Sequence, residues 1–186
     1  MAVVKILFPG YSSGDADGRS CSNILLVSDA GHNIIVDPGT LPDQNILVEK
    51  LRAENLTPAD IDIVYLTHSH LDHFRSIGLF PEAKVLDFWG WWQTDVCLDY
   101  EGQVTADIEM IKTPGHSADG TTLLVKTADG LIAICGDVFW QENFPNPDPL
   151  AVDLQVLEKS RQTVLALADW VIPGHGPMFK SEKPGY

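Results

Sequence analysis

The segment Thr67-His-Ser-His-Leu-Asp-His73 packs three histidines and an aspartate directly behind a largely apolar run at 61–66. Neutral imidazole and carboxylate are the usual protein ligands of zinc and related divalent ions. In an extended turn, His68 and His70 point to the same side. A helix beginning near Asp72 would aim Asp72 and His73 at a neighbouring point. One short segment can therefore feed two adjacent metal positions, and a solvated polar loop is a poor alternative for so dense a cluster.

Three further places repeat this grammar. Thr113-Pro-Gly-His116-Ser presents a histidine on a tight turn after a strand. Ile134-Cys-Gly-Asp137 ends an apolar strand on a carboxylate, and Pro173-Gly-His175-Gly again sets a histidine after a strand. Glycine beside each candidate ligand permits close backbone approach and unusual dihedrals. Any one of these alone is weak evidence. Their occurrence with the His-rich segment makes a candidate metal site of His68, His70, Asp72, His73, His116, Asp137 and His175, with Asp72 and Asp137 as the catalytic carboxylates.

These residues need strands to carry them. Strand-like runs occur at Val3–Phe8, 24–28 and 33–36, with Asp29-Ala-Gly31 as a hairpin turn between the last two. Residues 44–55 have helical spacing, and 61–66 is a strand leading into His68. Further strands are expected at 84–88, 109–112, Thr121–Thr127 and 131–135, with Asp129-Gly130 as a turn. The longest helix is expected at 149–169, followed by a closing strand, Trp170–Ile172. The expected class is α/β (α+β), in one domain spanning 1–186; two packed sheets with helices outside satisfy the pattern, and composition alone does not choose them over other α/β layouts.

Composition narrows the function. The chain has 186 residues, 45% apolar and 20% charged, an ordinary globular balance. No apolar stretch approaches the roughly 20 residues needed to cross a bilayer, and the N-terminus reads as a strand rather than a signal peptide. A cytoplasmic location without membrane association is the expectation. Three widely spaced cysteines, Cys21, Cys97 and Cys135, form neither a disulfide framework nor a Cys-x-x-Cys site, and are expected as buried free thiols. A net charge of −14, with 12 scattered Lys and Arg, disfavours extended nucleic-acid binding.

The complete set of motifs, from Asp37-Pro-Gly39 to Pro173-Gly-His-Gly176, resembles the metallo-β-lactamase superfamily. That resemblance implies an αβ/βα sandwich of two mixed sheets with outer helices. It implies two divalent metal ions, zinc foremost with iron or manganese as alternatives. His68, His70 and His116 would hold one, Asp72, His73 and His175 the other, and Asp137 would bridge them. Asp37 matches a position that braces the metal loop rather than ligating. The implied activity is binuclear hydrolysis, in which an activated hydroxide attacks an ester- or thioester-type carbonyl or a phosphodiester. True β-lactamases generally lack a carboxylate at the position of Asp137, which disfavours antibiotic hydrolysis.

The C-terminal stretch from Arg161 to Phe179 is similar to one compact group of the superfamily, which implies RNA endonuclease activity and stands against the acidic charge. A small-molecule substrate is the expected partner, with RNA left open and a homo-oligomer not decided. A third reading, a metal-binding but non-catalytic interaction module, rests on Trp89, Trp91 and Trp92. Those indoles would line a cleft or an interface, or simply pack in the core. Trp140, Phe144 and the Pro/Asn-rich run to Pro149 read as a rigid connector more than as a pocket wall. His32 reads as structural or exposed. Cys135 shares strand parity with Asp137 but reads as a small buried hydrophobe. Ser22, Ser69 and Ser117 have no uncommitted histidine to activate them.

Overall fold

The computed structural model describes residues 1–12 and 17–182. In chain order the strands are β1 (Val3–Phe8), β2 (Tyr11–Ser12), β3 (Ser20–Cys21), β4 (Ile24–Asp29), β5 (His32–Val36), β6 (Ile63–Tyr65), β7 (Lys84–Asp87), β8 (Gly90–Gln93) and β9 (Val96–Leu98). They continue with β10 (Ile108–Lys112), β11 (Thr121–Thr127), β12 (Gly130–Ile134), β13 (Trp170–Ile172) and β14 (Phe179–Lys180). The helices are α1 (Asn45–Ala53), α2 (Leu71–Phe74) and α3 (Leu154–Leu167).

Two mixed sheets result. The first runs β1-β4-β5-β6-β7-β8-β9 and the second β10-β11-β12-β13-β14, with β2-β3 a small separate ribbon. Strands β5, β6 and β7 pair in parallel, as do β12 and β13. The other pairs in the two sheets are antiparallel.

Period-two alternation explains the layers. Leu25, Val27, Ile34, Val36, Ile63 and Tyr65 face across to Leu123, Val125, Ile132, Ile134 and Ile172, forming the core between the sheets. The intervening residues point outward. Leu26, Ile35 and Val64 pack with Leu47 and Leu51 of α1, whereas Leu124, Ala133 and Val171 pack with Leu157 and Val164 of α3. Both faces of the central strands are covered, which is why those strands read as nearly continuous apolar runs. The expected αβ/βα sandwich is the observed architecture.

Several boundaries move for identifiable reasons. The hairpin between β4 and β5 has left-handed backbone at Ala30 (φ 51°) and Gly31 (φ 85°), the geometry of a type I′ turn. The long helix begins at Leu154 instead of residue 149, because the Asp153 carboxylate accepts the N–H groups of Gln155 and Val156 and caps it there. The Val152 N–H is committed to the His116 carbonyl at 3.2 Å. Strands β2, β3, β8, β9 and β14 were not read from the sequence. They are short, and their pairing depends on tertiary neighbours.

One cysteine expectation is corrected. Cys21 and Cys135 are buried free thiols, but Cys97 is exposed. It lies on β9, an edge strand whose three residues are all exposed. Cys135 packs with Ala133 in the apolar cluster beneath α3, and burial pushes its thiol well above the ordinary range. It behaves as a small apolar residue.

Candidate metal centre

Each predicted ligand leaves the carboxyl end of a strand, the edge of a sheet at which open α/β folds place their ligands. After β6 the chain stays extended through His70 (φ −78°, ψ 137°) and then turns into the single-turn helix α2. His68 and His70 thus sit on the extended part, and Asp72 and His73 on the helix, as the sequence implies. His116 follows β10, Asp137 follows β12 in a 3₁₀ turn, and His175 follows β13. The two sheets are tied together at this point. Thr121 of β11 accepts a 2.7 Å hydrogen bond from the Tyr65 hydroxyl, and its N–H donates to the Thr67 carbonyl at 2.8 Å.

The seven side chains converge as two groups. His68, His70, His116 and Asp137 bring one ligand atom each within 4.8 Å of one another, and so do Asp72, His73 and His175. Asp137 stands between the groups. Its Oδ2 is 3.4 Å from His116 Nε2, while its Oδ1 is 3.4 Å from His73 Nε2 and 3.2 Å from His175 Nε2. His175 Nε2 lies 3.6 Å from Asp72 Oδ2, and His116 Nε2 lies 3.0 Å from His70 Nδ1. Among the described residues, four buried side-chain polar atoms lack a hydrogen-bond partner, and three of them are His68 Nε2, His73 Nε2 and Asp137 Oδ1. Buried polar atoms normally find a hydrogen bond. One such nitrogen in each group, with Asp137 Oδ1 between them, fits a pair of cations supplying the missing partner.

Hydrogen bonds on the far side of each imidazole set its tautomer. His73 Nδ1 donates to Asp37 Oδ2 at 2.8 Å, His116 Nδ1 to Asp148 Oδ2 at 2.7 Å, and His175 Nδ1 to the Cys21 carbonyl at 3.0 Å. The Thr67 hydroxyl gives its proton to Asp37 at 2.7 Å, so its oxygen accepts from His68 Nδ1 at 3.1 Å. Four rings are thereby left with Nε2 facing the centre. His70 is turned the other way and offers Nδ1.

Charge follows from the same geometry. Burial disfavours a cation at His73, yet Asp137 and Asp37 on its two sides outweigh burial and hold the imidazole well above its ordinary range. Burial works the same way at His175, where Asp137 raises the value. Burial, with His73 alongside, pushes His68 well below its ordinary range; burial and His116 lower His70. Asp137 resists the upward pull of complete burial because His73 and His175 face it, and stays well below the usual carboxylate range.

Close packing requires the glycines noted in the sequence. A Cβ on Gly174 would lie 1.8 Å from Asp137 Oδ1, and one on Gly136 (φ 51°) would lie 2.3 Å from Thr67 Oγ1. Asp37 itself has left-handed backbone (φ 47°), an uncommon conformation that short polar side chains tolerate. Its carboxylate takes the Thr67 N–H and hydroxyl and the His73 ring together. It braces and does not face the centre, as expected.

Four contributors escaped the sequence reading. Asp148 is buried under His116; burial raises its carboxyl, but the His116 ring and the Leu150 N–H more than compensate and leave it below its ordinary value. Its only sequence signal is the Pro147-Asp148-Pro149 setting, a carboxylate with no helical or strand role. Ser20 donates to Asp72 Oδ2 at 2.6 Å. Asn23 donates to the carbonyls of Pro173 and Gly176 at 2.7 and 2.8 Å, clamping the loop of His175.

Trp140 is the fourth, and it corrects the expectation of a mere connector. Its ring meets His116 and His175 edge-on at 5.9 and 6.1 Å. It lines a cleft of about 360 Å³ together with His70, Asp72, Asp137 and His175.

The other singled-out residues lie elsewhere. Trp91 packs on the core between the sheets, Trp92 donates to Asp87 at 3.0 Å, and Trp89 is 65% exposed. The three indoles diverge and none lines the cleft. His32 is exposed at the hairpin, Ser69 is tied through its N–H to Asp119, and Ser22 donates to the Asp37 carbonyl. Ser117 Oγ is the fourth unpartnered atom.

A sandwich of two mixed sheets carrying a His/Asp cluster at its strand ends defines a metallo-hydrolase architecture. The profile of the Metallo-beta-lactamase superfamily matches residues 17–87. Metallo-beta-lactamase domain-containing protein 1 of Xenopus laevis is 32% identical, over 98% of this chain and 83% of that protein. The chain belongs to the metallo-beta-lactamase superfamily of metal-dependent hydrolases. It spans 48% and 59% of two other curated relatives, less than two thirds of their length.

Solved structures agree on the fold. A metallo-beta-lactamase-type protein of Thermotoga maritima superposes with a TM-score of 0.75 at 22% identity, covering 96% of this chain and 99% of that one. AidC, a dizinc quorum-quenching lactonase, superposes with a TM-score of 0.66 at 18% identity, covering 84% and 72%. Among the described residues, no helix is long and apolar enough to cross a membrane.

Proposed function

We propose that this chain is a binuclear, zinc-dependent hydrolase of the cytoplasm that opens an ester-, thioester- or lactone-type carbonyl in a small-molecule substrate. The observation that carries the reading is the placement of Asp137 between the two groups of ligand atoms, with Oδ2 beside His116, Oδ1 beside His73, and His175 Nε2 within 3.3 Å of both oxygens. His68, His70 and His116 would hold one ion, and Asp72, His73 and His175 the other. Bound there, two divalent ions supply Lewis acidity and lower the pKa of a water.

The chain's own residues do the positioning. Asp37, Asp148, Thr67 and the Cys21 carbonyl hold four imidazoles with Nε2 inward. Ser20 steers the Asp72 carboxylate, which borders the cleft and is suited to orient the attacking water. Trp140 closes one side of the site. The lactonase activity of a structural neighbour supports a carbonyl substrate, and the net charge of −14 weighs against polyanions.

The test has two parts. Protein reconstituted with zinc should hold about two equivalents by elemental analysis, and less than about one would sink the proposal. The zinc-loaded protein should then prefer a glutathione thioester or a lactone over a phosphodiester in kcat/KM. Asp137→Asn should lose more than about 100-fold, the upper end of what an outer-shell change costs. A preference for single-stranded RNA or a simple phosphodiester, lost in Asp137→Asn, would establish the nuclease reading instead.

A further inference from the structure

The cleft beside the cluster has a composition that the ligands do not require. Leu71 lies next to Asp72 on α2, and Leu150 follows the Asp148 brace; each is 57% exposed, and both line the cleft with the Trp140 indole. Phe144, 48% exposed, packs edge-on against Trp140 at 6.5 Å and extends the same apolar surface. Scattered exposed apolar residues need no explanation. Here two leucines and an indole form one wall of a concavity whose other side is polar, with Ser12, Arg19 and Ser20 beside His70, Asp72, Asp137 and His175. Concave sites with an apolar wall and a few convergent polar groups are how small ligands are held.

Size limits the occupant. At about 30 Å³ per water-sized group, the 360 Å³ of the cleft holds roughly a dozen non-hydrogen atoms.

We infer that the cleft takes a short hydrocarbon arm: the substrate is an acyl ester, thioester or lactone whose acyl chain, of about four to eight carbons, lies on Leu71, Trp140 and Leu150. This inference rests on the hydrolase reading above and names its substrate class. The reactive carbonyl sits at Asp72, Asp137 and the histidines, and the chain runs outward along the apolar wall. A nucleotide chain would meet that wall with charged phosphates, and Arg19 on the opposite side of the cleft is a single cation against several of them.

Binding and turnover test this separately. Straight-chain carboxylic acids from acetate to octanoate are titrated into zinc-loaded protein by calorimetry, and the matching 4-nitrophenyl esters are assayed for kcat/KM. Affinity should rise about fourfold per methylene, the fold-change of burying one CH₂, and level off near hexanoate or octanoate. The slope should flatten in Leu71→Ser/Leu150→Ser, whose sites are exposed enough to leave the fold intact. A flat wild-type series, an unchanged slope in the double variant, or closure of the wall by dimerisation in sedimentation overturns the inference. A rising binding series with no ester turned over at any length would leave the apolar site standing and retire the hydrolase reading. Turnover independent of chain length would do the reverse.

Discussion

The two sheets bring their ligands to the centre in different ways. The seven-stranded sheet delivers four candidate ligands, His68, His70, Asp72 and His73, on one segment after β6. One carboxylate, Asp37, holds that segment at Thr67 and at His73. The five-stranded sheet delivers His116, Asp137 and His175 singly, from three strand ends, and each has its own support. His116 rests on Asp148, His175 on the Cys21 carbonyl with Asn23 clamping its loop, and Asp137 fits against Gly174. A shared brace concentrates risk in one residue, whereas separate braces confine it to one ligand.

Substitutions can break that contrast, beginning with the shared brace. Asp37→Ala removes the acceptor of three buried donors at once. It should destabilise the protein by about 3–5 kcal/mol, as expected for breaking a buried charged network, and abolish zinc uptake. Chemical denaturation and metal analysis would check both, and zinc uptake surviving in a folded variant would show that Asp37 is not the common support. Asn23→Ala should cost about 1–3 kcal/mol, because a buried polar group leaves two carbonyls unsatisfied. Its effect on metal affinity should fall on the His175 side, measurable as one weakened step in a chelator competition.

Asp148→Asn keeps a hydrogen-bond acceptor for His116 but removes the charge. It should weaken one metal site by about 10–100-fold while leaving the melting temperature of the metal-free protein nearly unchanged; a weakening of both sites would blur the separate-brace picture. At the far edge of the first sheet, Trp89→Ser should change stability by less than about 0.5 kcal/mol and leave zinc affinity unaltered. Lost metal binding there would reopen a role for the indoles at the centre.

How much was legible depends on how a residue reports itself along the chain. The His-rich segment is dense, so its spacing alone reveals ligands, and the glycine-flanked residues at strand ends repeat one pattern. The central strands are also readable. Both their faces are buried, and apolar residues therefore run through Ile24 to Val27 and Leu123 to Val125 without a polar break. The edge strand β9 is not, since exposure removes the apolar signal. Cys97 was accordingly misplaced as buried.

The braces were legible only in part. Asp37 is marked out only by the family resemblance of its motif, and Asp148 sits in a proline-rich run that looks like a connector. Its meaning comes from a ring 32 positions earlier in the chain.

By itself, then, the sequence determined the ligand types, their strand-end settings and the central strands, because these depend on local spacing and on apolar periodicity, while the two-layer architecture came through the family resemblance that those motifs carry. Tertiary structure alone decided which atom each imidazole presents, where Asp137 stands between the groups, and that Leu71, Trp140 and Leu150 share a cleft. Those properties are distances between residues far apart in the chain, set by how the two sheets pack, and no local pattern encodes them.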